Sequence, residues 1–165
     1  MNIFYFDEDP VKAAKVQPDK MLVKMVLETA QMLSTAHRVL DGDSYADENS
    51  LYKLAHKNHP CSIWVRKSKE NYEWLYEHFI ALSEEYTERY ERMHLSYTKL
   101  KDVLWQTPFN IPGGQMTPIA QCMPDEYKHK NPITAYRRYC VHEKHYAEWN
   151  IMPERKPDWW CKEIK

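Results

Sequence analysis

Glycine is nearly missing from this chain, at 3 of 165 residues, while tyrosine and tryptophan number 12 and 6. A fold turned by tight glycine corners is therefore excluded, and large side chains packed between helices are expected instead. No apolar run approaches the ~20 residues needed to cross a bilayer, and the N-terminus has neither the basic region nor the apolar core of a signal peptide. A soluble cytoplasmic protein with no membrane partner is the expectation. The four cysteines, Cys61, Cys122, Cys140 and Cys161, show no C-x-x-C spacing, which argues against a zinc knuckle or a disulfide framework and for reduced thiols. Excess positive charge is lacking too. A formal net charge of −1 and a pI near 6.7 are not those of a protein held to nucleic acid mainly by phosphate neutralisation. Any nucleic-acid role must rest on a local patch. Neither G-x-x-x-x-G-K-[ST] nor G-x-G-x-x-G occurs, so nucleotide binding by those two routes is not indicated.

What is present is a long periodic segment, Asp19 to Leu40. At about 100° per residue, Lys20, Lys24, Glu28, Gln31, Thr35 and Arg38 fall in one stripe roughly 80° wide, and apolar residues cover most of the remaining circumference. Such a helix is packed from several directions and is the central helix of the fold. Its polar stripe faces a cleft or a strip of solvent, with Glu28 in the middle and Lys24 one turn before it. Those two residues form either an ordinary surface pair or the start of a site.

The rest of the chain supports a mainly α, single-domain architecture over residues 1–165. Asn2–Phe6 reads as a brief strand or an extended arm. Asp9-Pro10 caps and opens a short helix to about Val16. Ser44–Lys57 reads as a loop followed by one or two helical turns. Beyond His59-Pro60, Ser68 starts a long amphipathic helix whose aromatic stripe runs from Tyr72 to about Arg92, followed by helix from Leu95 to Trp105. Thr107–Pro124, with its prolines, is an irregular loop laid over the surface, and Pro132–Trp149 returns to helix. Trp159 and Trp160 are expected to anchor the terminus.

Several residues invite chemistry. His142 and His145 have the i, i+3 spacing of a metal pair but lack the H-E-x-x-H pattern, and no metal or cofactor is assigned. Ser34 with His37, and Cys61 with His59, are conceivable nucleophile and base pairs that no spacing supports. Cations and rings interleave in two places. One is His56 to His59 with Arg66, Lys67 and Lys69; the other is Tyr136, Arg137, Arg138 and Tyr139 with Lys144, His145, Arg155 and Lys156. Each is either a phosphate-gripping, base-stacking face or a solvated helix face.

This layout resembles the pyrimidine-dimer DNA glycosylase/AP lyase family of the phage endonuclease V type. The resemblance rests on Asp19, Leu22 and Glu28 in DKMLVKMVLE, on Asn58-His59-Pro60 followed by Tyr72, Leu75, Glu85 and Arg89, and on Tyr136, Arg137, Tyr139 and Lys144 before Lys156-Pro157-Asp158-Trp159-Trp160. It implies a helical protein acting on damaged or modified pyrimidines in double-stranded DNA, in the host cytoplasm if phage-encoded. It also implies that the N-terminal α-amine attacks C1′ as an imine-forming nucleophile, assisted by the first-helix carboxylate matched here by Glu28. The amine belongs to Met1, or to Asn2 if Met1 is removed; α-amines titrate close enough to neutrality to react without a metal. Lys24, Gln31, Arg38, His59, Tyr136, Arg137, Arg138 and Lys144 are the candidate substrate-binding residues. The chain departs from the family pattern at Met21, where a histidine is expected, and at Gln31, where an arginine is. The alternative is a non-enzymatic small phage-type protein that binds nucleic acid or another protein through the Tyr136 to Lys144 face.

Overall fold

In the computed structural model, which describes residues 1–161, Asn2–Phe6 is a buried extended arm. It pairs with no strand among the described residues. Asp9 accepts the N–H groups of Val11 and Lys12 at 2.8 and 3.3 Å, and Pro10 at the first helical position opens α1, Pro10–Lys15.

The second helix, α2, is continuous over Asp19–Asp41 and stops at Gly42, whose φ of +83° suits a residue without a Cβ. Leu22, Met25, Val26, Ala30, Leu33 and Ala36 are fully buried along it. The helix is packed from several directions, while Val23, Leu27 and Val39 remain exposed. Short α3, Asp43–Glu48, and α4, Pro60–Val65, follow. Next comes α5, Lys69–Tyr90, capped by Ser68 through Asn71 N–H and closed by a left-handed Glu91. It packs on both α1 and α2 and buries Tyr72, Leu75, Phe79 and Leu82 completely. Each such large side chain stabilises the fold by about 1.5–3 kcal/mol relative to exposure. Then α6, Leu95–Leu104, and α7, Pro132–Glu143, complete the α-helices of the described residues, with 3-10 turns at Asp125–Tyr127 and Pro153–Arg155.

Two stretches differ from the sequence reading. The order within Ser44–Lys57 is reversed: the helix comes first, and residues 51–56 are irregular. Arg38 is the reason. Its guanidinium gathers Asp43 at 2.7 Å and Asp47 at 2.9 Å from α3, and the carbonyls of Leu51 and Tyr52 at 3.0 and 2.7 Å. Those carbonyls are thereby held for a side chain and do not enter a helix ladder. The helix expected to reach Trp149 ends at Glu143, because Trp149 is drawn into the core, with Nε1 on the Val16 carbonyl at 3.3 Å. The neighbouring Glu148 carbonyl accepts the Asp19 N–H at 2.9 Å.

A second buried arginine ties the N- and C-terminal parts together. Arg89 donates to Asp19 at 3.0 Å, to Glu85 at 2.9 Å, and to the carbonyls of Lys15 and Gln17 at 2.9 and 2.8 Å. Glu85 accepts again from Arg155 at 2.8 Å, and Asp19 accepts the N–H of Asn150 at 2.8 Å. Because every charge in this group has partners, its desolvation is offset. Phe6 receives Trp159 and Trp160 at ring distances of 5.2 and 5.8 Å, as an anchoring role for the two tryptophans requires.

Candidate active site beneath the N-terminal arm

Glu28 lies near the middle of α2 and its side chain is only 14% exposed. Lys24, one turn earlier, reaches one carboxylate oxygen at 3.3 Å. The other oxygen faces the α-amino group of Met1 at 4.0 Å. That separation exceeds a direct hydrogen bond and suits one bridging water.

The arm is held in this position by its own side chains. Asn2 donates to the Cys122 carbonyl at 2.8 Å, and its carbonyl oxygen accepts Ile3 N–H at 2.8 Å and the Cys61 thiol at 3.7 Å. Phe4 has a φ of +55°, a left-handed conformation that costs a non-glycine residue roughly 1–2 kcal/mol. Its ring is kept there against Phe6 and Tyr136, at 6.1 and 6.3 Å. Strain held by surrounding packing in this way clusters at functional sites.

Met1, Asn2, Lys24, Glu28 and Lys144 share one cavity of about 220 Å³, whose remaining walls are Phe4, Cys122 and Tyr139. Lys144 reaches it from beyond the end of α7, with its ammonium 5.0 Å from the Tyr139 ring centre and 3.4 Å from that hydroxyl. Two lysines and an α-amine around a single carboxylate make the cavity electropositive. Such a cavity draws an anionic substrate, and the carboxylate can take and return protons.

The other candidates are placed variously. Gln31 follows one turn after Glu28, outside the cavity walls. Arg38 lies ten residues beyond Glu28, about 15 Å along the helix, and all its directed bonds go to α3 and residues 51–52. Tyr136 is fully buried and donates to the Ala120 carbonyl at 2.6 Å, so its ring has no face open to a base. Arg137 donates twice to the Phe6 carbonyl, at 3.0 and 2.8 Å, and lies 4.7 Å over the Trp159 ring. Arg138 is half-buried, with an Nε that has no hydrogen-bond partner among the described residues. His37 meets Tyr72 at 2.9 Å in the core and does not pair with Ser34. His142 and His145 do not share a helix face, because α7 ends between them.

His59 caps α4 by accepting Cys61 N–H at 3.1 Å. Burial, and then the charges of the N-terminal amine and His56, hold its imidazole below the usual histidine range against the pull of Glu28. Sequence reading missed what lies next to it. The sulfurs of Cys61 and Cys122 are 3.3 Å apart, and their thiols titrate in opposite directions. Hydrogen bonding between them, with burial, pushes Cys61 up, while the same hydrogen bond brings Cys122 down to about 7. Phe4 was missed as well, since a phenylalanine in an apolar arm looks like packing, whereas Tyr139, singled out with the second cluster of cations and rings, does line the cavity.

Comparison with curated proteins and with solved structures finds no match. The family model described as pyrimidine dimer DNA glycosylase matches residues 1–98. The matched span holds Met1, Asn2, Lys24, Glu28 and the whole of α5, and leaves Cys122, Tyr139 and Lys144 outside it. Since it covers more than half of the chain, the chain belongs to the pyrimidine dimer DNA glycosylase family.

Proposed function

We propose that this protein is a DNA repair glycosylase with AP lyase activity, acting on damaged or modified pyrimidines in double-stranded DNA through an N-terminal amine and Glu28. The observation that carries the reading is the Met1 α-amine, 4.0 Å from the Glu28 carboxylate at the wall of an electropositive cavity. In this reaction the amine nitrogen bonds to C1′ as the bond to the base breaks, and the opened sugar is held as an imine. Glu28 moves the protons of ring opening and of the later elimination. Lys24 and Lys144 meet the flanking phosphates, and the half-buried Arg138 of α7 extends that contact.

The amine in question is that of Met1. Asn2 is only 8% exposed and all its side-chain groups are engaged, so an amine on Asn2 would start inside the packed arm. A single-domain arrangement fits this reading, because both ends of the chain contribute to one cavity.

Borohydride reduction in the presence of DNA with one abasic site tests the proposal. A covalent protein–DNA adduct is expected, and acetylation of the α-amine should abolish it; intact mass of the adduct-forming protein should show Met1 retained. DNA binding with no trapped adduct would overturn the lyase reading in favour of a non-enzymatic nucleic-acid binder.

A further inference from the structure

We propose that His59, Cys61 and Cys122 form a binding site for a zinc-class divalent cation, whose occupancy straps the 107–124 loop to the start of α4 directly beneath the N-terminal arm. One ligand atom from each residue lies within 4.8 Å of the other two, and the two sulfurs are 3.3 Å apart. A tetrahedral ion with metal–sulfur bonds of ~2.3 Å and a metal–nitrogen bond of ~2.0 Å holds its ligand atoms about 3.3–3.8 Å from one another. The observed cluster needs only side-chain adjustment to reach that spacing. Two thiolates and an imidazole are a soft to borderline donor set, which selects zinc-like ions over magnesium or calcium.

The surroundings fit a bound ion. Cys61 is fully buried, whereas Cys122 lines the cavity shared with Met1 and Glu28, so the cluster has an open side for entry and for a fourth ligand. His59 keeps a lone pair that now accepts Cys61 N–H, and this is the electron pair a metal takes in exchange. Asn2 spans the two cysteines, donating to the Cys122 carbonyl and accepting from the Cys61 thiol. Its bond to the Cys122 carbonyl does not depend on the thiol protons and keeps that cysteine in place when they leave. Binding breaks two S–H bonds, releases two protons to solvent and forms two metal–sulfur bonds, with no change of oxidation state. The site does not depend on the lyase reading.

Cobalt titration of the chelator-treated, reduced full-length protein tests it. One equivalent should produce a thiolate-to-cobalt charge-transfer band with the visible bands of a tetrahedral site, and zinc should displace it. The band should vanish in Cys122→Ser, weaken in His59→Ala and persist in Cys161→Ser, whose thiol is exposed and remote from the cluster in sequence. X-ray absorption of the zinc-loaded parent protein needs no variant to fold, and should show two sulfur neighbours and at least one imidazole nitrogen. Absence of the charge-transfer band with free thiols, or its survival in a helical Cys122→Ser protein, overturns the site. A parent protein purified two hydrogens lighter, with Cys61 joined to Cys122, overturns it in favour of a disulfide.

Discussion

Glu28 combines three properties that rarely meet in one surface carboxylate: low exposure, a lysine on one oxygen and an α-amine facing the other. Replacing it by Gln keeps the shape and removes the proton-accepting group. Strand cleavage by Glu28→Gln should fall by about 10²–10⁴-fold with DNA affinity nearly unchanged. Equal loss of binding and cleavage, measured by gel shift and single-turnover assay, would identify a structural ion pair instead. His78 shows a different residue-scale effect. Its Nδ1–H donates to the Pro10 carbonyl at 2.9 Å, and its buried Nε2 has no partner among the described residues, so the ring is neutral. Burial takes its pKa from the ordinary 6.5 down to about 4. The unfolded chain therefore protonates first on acidification. The stability from this group is complete above pH about 6.5 and is lost as pH falls to about 4, by about 3 kcal/mol in all. Urea unfolding across that interval should show the loss in the parent protein and a shallower pH dependence in His78→Gln.

Helix α2 serves two purposes along one polar stripe. Its first half presents Lys24 and Glu28 to the cavity, and its second half buries Thr35 and Arg38 beneath residues 43–55. Arg38→Ala should leave the carbonyls of Leu51 and Tyr52 without their donor and lower stability by about 3 kcal/mol, with early proteolysis within residues 43–56. DNA affinity, compared at a temperature where the variant remains folded, should be unchanged; a selective loss of affinity would return Arg38 to substrate contact. At the other end of the chain, Arg137 is engaged by the Phe6 carbonyl and Trp159. Arg137→Ala should therefore lower the melting temperature, an effect that Arg138→Ala should lack.

Across the whole molecule a net charge of −1 leaves no general attraction for a polyanion, so affinity has to come from segregated cations. Many carboxylates are already neutralised internally: Asp19 and Glu85 by Arg89, Glu85 again by Arg155, and Asp43 and Asp47 by Arg38. Arg138 and Lys144 have no carboxylate partner among the described residues and are left to act on the solvent side. Arg138→Ala and Lys144→Ala should each weaken DNA binding regardless of sequence and reduce the slope of log affinity against log salt by about 0.9. Filter binding across a salt series measures this, and unchanged slopes would show that neither residue contacts phosphate.

Periodicity and capping chemistry were sufficient for α1, α2 and α5: Asp9-Pro10, Ser68 and the apolar spacing of residues 19–40 and 72–90 act through bonds and contacts close along the chain. The same locality made Glu28 and its lysine legible, since residues one turn apart must meet. Three outcomes were decided only by the tertiary structure. The helix after Pro132 ends early because Trp149 is drawn into the core, Ser44–Lys57 reverses its order because Arg38 claims distant carbonyls, and Cys61 meets Cys122 across 61 residues. Each depends on a contact between segments far apart in sequence, where no period or spacing records the partner, and where burial of a large ring or satisfaction of a buried charge outweighs local preference.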